Sequence, residues 1–126
     1  MGYTHYFEHK KVSKDTWAKI VVDCVKVMHA IDTTFEQEFT DKTITINGIG
    51  EEGHETFILE RKGSDGFTFC KTARKPYDLF VCACLLIYKH YSSNTMDLSS
   101  DGFNKDGTEE DEWVAARDLV KDTLDY

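Results

Sequence analysis

Between Pro76 and Ser92 the residues Leu79, Phe80, Val81, Ala83, Leu85, Leu86 and Ile87 cover nearly every side of a helix. A helix that is apolar all round has to be enclosed by the rest of the chain. Pro76 suits its first turn, where the missing N–H costs nothing. The unbroken apolar run from Leu79 to Tyr88 is about ten residues, roughly half of what a bilayer span needs, so the pattern predicts a central core helix. At 126 residues the chain is long enough to wrap that helix in a single domain, 1–126, without disulfides or a structural metal.

The wrapping is read from shorter patterns. Tyr3 to His9 alternates Tyr3, His5 and Phe7 against Thr4, Tyr6 and Glu8, the period of a strand. From Ser13, a good N-cap, apolar residues recur at helical spacing (Trp17, Ile20, Val21, Cys24, Val25, Met28, Ile31), predicting a helix that ends near Asp32. Thr43 to Asn47, Thr56 to Arg61 and Phe67 to Lys71 are separated by Gly48, Gly50, Gly53 and by Ser64-Asp65-Gly66, which predicts three strands in a meander. Met96 to Ser100 is a short strand. Thr108 and Asp111 form a capping box for a last helix with Trp113, Ala116, Leu119, Val120 and Leu124 on its buried side. The expected fold is α+β: a small mixed or antiparallel sheet of about five strands packed by three helices, with one β-α-β crossover over residues 67–100.

Composition narrows the function classes. The net charge of −8, from 23 acidic and 15 basic residues, argues against a general nucleic-acid binder. Cys24, Cys70, Cys82 and Cys84 lack the two-residue spacing of a zinc site and are expected as buried free thiols, so neither metal nor cofactor is predicted. Residues 1–10 carry no apolar stretch of signal-peptide type, and a cytoplasmic protein is expected. Charge is uneven, with Glu109, Glu110, Asp111 and Glu112 in one run and Lys71, Arg74 and Lys75 in another.

If the crossover is right, the loops after its two parallel strands leave from the same edge, where ligands of open α/β arrangements bind. Lys71, Thr72, Arg74 and Lys75 then stand before a helix N-terminus, which favours a phosphate or carboxylate. Tyr77 and Asp78 add an aromatic face and a carboxylate, although Asp78 equally serves the helix dipole. Ser99, Ser100 and Asp101 offer hydroxyls and a carboxylate for a sugar, a phosphate or a cation. Calcium is not expected, because the loop that begins at Asp97 has Thr108 where the bidentate glutamate belongs. His5, beside Tyr3, is an acid, base or hydrogen-bonding candidate. No Ser/His/Asp or Cys/His set can be assembled from spacing, and Cys70 beside Lys71 is the one thiol with an activating neighbour.

Three segments, Gly2-Tyr3-Thr4-His5-Tyr6, Phe69-Cys70-Lys71-Thr72-Ala73-Arg74-Lys75-Pro76-Tyr77-Asp78 and Ser99-Ser100-Asp101-Gly102, together resemble a family of small uncharacterised phage and prophage proteins. The resemblance runs through nearly the whole chain; it implies a viral origin and a host-cell cytoplasmic location, and marks the three segments without giving a reaction. The expectation is a binding protein for an anionic, phosphorylated or nucleotide-like small molecule, with sequestration of a host defence signal as one version. Its ligand set would be Tyr3, His5, Lys71, Thr72, Arg74, Lys75, Tyr77, Asp78, Ser99, Ser100 and Asp101. One rival is an acidic anti-defence protein that engages a host protein through Glu109 to Glu112. The other is a small enzyme with His5 or Asp101 as acid/base; catalysis is the less expected outcome, and a homo-oligomer stays open.

Overall fold

The computed structural model describes residues 3–32, 34–64, 66, 68–92 and 95–126. In chain order the elements are β1 (Thr4–His9), α1 (Lys14–His29), β2 (Glu36–Phe39), β3 (Thr43–Asn47), β4 (Phe57–Glu60), β5 (Thr68–Lys71), α2 (Asp78–Ser92), β6 (Met96–Ser100) and α3 (Asp111–Leu124). The fold is α+β, but its strands form two three-stranded antiparallel sheets, ordered β5-β1-β6 and β2-β3-β4, in place of one sheet of about five. The extra strand is β2, whose sequence Glu-Gln-Glu-Phe is mostly exposed and so carries no apolar alternation to announce it. Gly2, Asp65 and Phe67, named above in a motif, a turn and a strand, lie outside the described residues.

The expected crossover is present with a strand inserted. Both β5 and β6 pair antiparallel with β1, so they run in the same direction with β1 between them. Register pairs Thr4 with Lys71 and His5 with Ser100, which brings the carboxyl ends of β5 and β6 level with the start of β1.

α2 is the core element that its composition demands, with Phe80, Val81, Cys82, Ala83, Cys84, Leu85, Ile87 and Tyr88 all buried. α1 contributes Trp17, Ile20, Cys24 and Val27, α3 contributes Trp113, Ala116 and Val120, and the sheets contribute Phe7, Cys70, Met96, Ile44, Ile46, Phe57 and Leu59. All four cysteines are free and buried. Ser13 caps α1 by accepting the Thr16 N–H at 3.1 Å, and that helix stops at His29, with Ala30 as its C-cap, a turn short of Asp32.

Two boundaries differ from the sequence reading. α2 begins at Asp78, two residues past Pro76. The N-cap of α3 is Glu110, not Thr108, because Asp106 captures both the Thr108 N–H (3.0 Å) and its hydroxyl (2.6 Å) in a local turn. Among the described residues no helix is long and apolar enough to cross a membrane.

Candidate functional site

The three marked segments meet at one edge of the β5-β1-β6 sheet. The Thr72 N–H donates to the Tyr3 carbonyl at 3.0 Å and the Asp101 N–H to the Thr4 carbonyl at 2.9 Å. The Thr4 N–H in turn donates to Asp101 Oδ2 at 3.1 Å. The loops after β5 and β6 are thereby laced to the first residues of β1.

Beneath this edge His5 is fully buried, with Nδ1 2.7 Å from Ser100 Oγ and Nε2 2.6 Å from Asp78 Oδ1. This Ser/His/Asp set draws on positions 95 and 73 residues from the histidine, which is why local spacing did not reveal it. Ser100 Oγ also accepts the Trp113 indole N–H at 2.9 Å and the Gly102 N–H at 3.0 Å. Those two donors fill both hydroxyl lone pairs, so the Ser100 hydrogen has to go to His5 Nδ1, and the ring proton sits on Nε2, donated to Asp78. A hydroxyl with no free lone pair makes a poor nucleophile. The relay is therefore a fixed link between β1, β6, α2 and α3.

The same count bears on metal binding. His5, Asp78 and Cys82 present potential ligand atoms within 4.8 Å of one another. Coordination through Nε2 would move its proton to Nδ1 and set a third donor against Ser100 Oγ. Burial, and then Asp78, push the Cys82 thiol well above its ordinary range, away from the thiolate a metal needs. The trio fits a hydrogen-bonded cluster better than a ligand set.

The corner above the relay is closed. Tyr3 Oη packs so tightly on Gly102 that a Cβ there would lie 2.0 Å from it and 2.6 Å from Trp113 Cδ1. Arg74 lies over the Tyr3 ring, 4.3 Å from its centre, and reaches Glu110 and Glu112, each at 3.3 Å. Its loop is strained, with Ala73 and Arg74 consecutively left-handed at φ 53° and 57°, a conformation that costs a non-glycine residue roughly 1–2 kcal/mol. Tyr3 Oη, Thr72 Oγ1 and Asp78 Oδ2 are buried without a hydrogen bond, and Glu112 Oε1 has only its ionic contact with Arg74.

The predicted ligand residues thus divide. Tyr3, His5, Thr72, Tyr77, Asp78 and Ser100 are interior, and the Tyr77 hydroxyl donates to the Glu55 carbonyl at 2.6 Å. Arg74 is clamped by carboxylates, and Asp101 is exposed but engaged with Thr4. Lys71 and Ser99 are exposed, and Lys75 is half-buried in the loop. Cys70 is a buried free thiol, as expected, and it is pushed up to about 12, first by burial and then by Glu55 and Asp78, so the neighbouring Lys71 does not activate it. The acidic run is likewise engaged within the chain: Glu109 makes a paired contact with Arg117 at 2.6 and 2.7 Å, while Glu110 and Glu112 hold Arg74.

What the sheet leaves open is its other face. Tyr6 pairs directly with Phe69 on one side and with Ser99 on the other, so the row Phe69–Tyr6–Ser99 crosses all three strands. Phe69 is 57% and Tyr6 38% exposed, and Lys71 Nζ stands 5.9 Å from the centre of the Phe69 ring. Neither ring was among the predicted site residues. The available signal was Tyr6, an aromatic on the polar side of an otherwise regular alternation.

The chain matches no family model, no curated protein and no solved structure. Its functional reading rests on this geometry.

Proposed function

We propose that this chain is a binding protein that holds a phosphorylated, nucleotide-like ligand on the open face of the β5-β1-β6 sheet. The observation that carries the reading is the exposed Tyr6–Phe69 pair with Lys71 beside it. Two neighbouring rings on a rigid sheet form a stacking surface for a base, each base–ring contact contributing roughly 1–3 kcal/mol. Lys71 and Lys75 would meet the phosphate, and the Ser99 hydroxyl a sugar oxygen. The closed corner is the support for this surface: the relay and the Arg74 clamp fix the ends of β1, β5 and β6. Sequestering a host's nucleotide signal is the biological version that the phage resemblance suggests.

Isothermal titration with AMP, cyclic dinucleotides and cyclic ADP-ribose isomers tests the reading. The expected result is saturable binding of at least one compound, weakened about tenfold or more by Phe69→Ala and also weakened by Lys71→Ala. Absence of heat across the panel, or binding indifferent to both substitutions, overturns it.

A further inference from the structure

Register lays out the open face of the β5-β1-β6 sheet as a grid. Side chains alternate along each strand, so Phe69 and Lys71 of β5, Tyr6 and Glu8 of β1, and Asp97 and Ser99 of β6 share this face. Glu8 stands opposite Asp97, on one side of the row Phe69–Tyr6–Ser99, and Lys71 stands on the other side, level with Thr4. The two rings therefore have a cation at one flank and two carboxylates at the other. Lys71, Tyr6 and Asp97 fall on one diagonal of the grid. With the strand order β5-β1-β6, its ends are two strand spacings and four residue rises apart, which puts their Cα atoms about 17 Å from each other. The Lys71 and Asp97 side chains shorten that gap to the length of one extended nucleotide with a hydrogen bond at each end.

The carboxylate flank is open to a donor. Asp97 is exposed and Glu8 half-buried. Both line a cleft of about 500 Å³ together with Lys10, Lys11 and Lys62. Among the described residues none of these lysines pairs with either carboxylate, and Lys62 is turned to Glu60 at 3.4 Å. Like charges directly opposed on neighbouring strands are mutually destabilising, and a ligand that donates hydrogen bonds to them relieves the opposition. The third acid near this face, Asp101, is taken up by the Thr4 N–H.

A carboxylate only accepts hydrogen bonds. A base stacked on Tyr6 and Phe69 with its phosphate at Lys71 turns its pairing edge, the edge farthest from the sugar, toward Asp97 and Glu8. Guanine presents two adjacent donors there, N1–H and the N2 amine, which match the two oxygens of one carboxylate in a paired, charge-assisted contact. Adenine and cytosine set a ring-nitrogen lone pair beside their amine, and uracil flanks its single N–H with two carbonyls, so each of them also brings an acceptor against the carboxylate. Resting on the nucleotide reading above, we infer that the base of the ligand is guanine, selected by the Glu8–Asp97 pair while Lys71 holds the phosphate.

The test is calorimetry with GMP, IMP, AMP and UMP, run in EDTA so that no divalent cation bridges phosphate to carboxylate. GMP should bind about tenfold or more tightly than AMP and UMP, with IMP, which lacks the N2 amine, in between. The double variant Glu8→Gln, Asp97→Asn should bring GMP to the affinity of AMP while AMP and UMP bind no more weakly than before. Its melting temperature should be no lower than that of the parent, because a repulsion has been removed; if it is lower, the single change at the exposed Asp97→Asn takes its place and should cost GMP alone. Equal affinity for GMP and AMP in the parent protein overturns the guanine inference and leaves the nucleotide reading in place. A GMP preference that survives the substitutions, or an equal loss for all four nucleotides, overturns it as well. Binding of a compound from the earlier panel but of none of these four defeats the guanine inference alone, and no binding in either panel sinks both.

Discussion

Replacing Ser100 by alanine deletes one oxygen and strands three buried groups: the Trp113 indole N–H, the Gly102 N–H and His5 Nδ1. Leaving a buried polar group without a partner costs about 1–3 kcal/mol, so Ser100→Ala should lower stability by about 3–6 kcal/mol, allowing for water entering the gap. A chain of 126 residues holds about 6–19 kcal/mol in total, so the variant should remain folded. Its melting temperature should nonetheless drop by about 10 °C or more. Urea unfolding followed by tryptophan fluorescence is the assay, with the midpoint displaced and the slope unchanged. The decisive measurement is the cycle with Trp113→Phe. Once Ser100 is gone the indole N–H is already unpaired, so its removal should be cheaper by about 1 kcal/mol or more than in the parent protein. A loss below about 1 kcal/mol for Ser100→Ala, or additive behaviour of the pair, would refute the assignment of Ser100 as the saturated centre of the network.

Two further outcomes follow from the same corner and from the opposite end. Arg74→Ala gives up the contacts with Tyr3, Glu110 and Glu112 but keeps a left-handed non-glycine residue, whereas Arg74→Gly gives up the same contacts and relieves the backbone; thermal melts should show the glycine variant more stable by about 1 kcal/mol. Burial holds His9 below its ordinary value of 6.5. As pH falls below that value the unfolded chain takes up a proton that the folded protein resists, so folded stability declines. His9→Asn, which keeps a donor for the Tyr88 hydroxyl, should flatten that decline between pH 7.5 and 5.5 in urea titrations, and an unchanged slope would count against it.

The helices were legible because their signals are local. Ser13 caps where its hydroxyl predicts, and the apolar circumference of α2 lies at the centre of the core. The meeting of the three marked segments was legible for a topological reason, since loops after like-directed strands emerge at one edge. Their interior character was not. His5, Asp78 and Ser100 are polar, and polarity in a sequence suggests solvent until the partners are known; here each has a partner at least 73 positions away. Arg74 looked like an anion ligand because Glu110 and Glu112 lie more than 30 residues downstream. Thr108 failed as a cap because Asp106, two residues before it, had prior use of its hydroxyl.

The middle strand of the β5-β1-β6 sheet is the first to be synthesised of the three. Its partners at Thr68–Lys71 and Met96–Ser100 follow after some sixty and ninety residues, so at roughly 5–20 residues per second β1 waits several seconds with both hydrogen-bonding edges vacant. Such long-range pairing is slow to form. Until residue 100 emerges, Phe7 and His5 belong to a strand whose edges are open to another nascent chain, and a chaperone that shields Tyr3 to His9 would cover them.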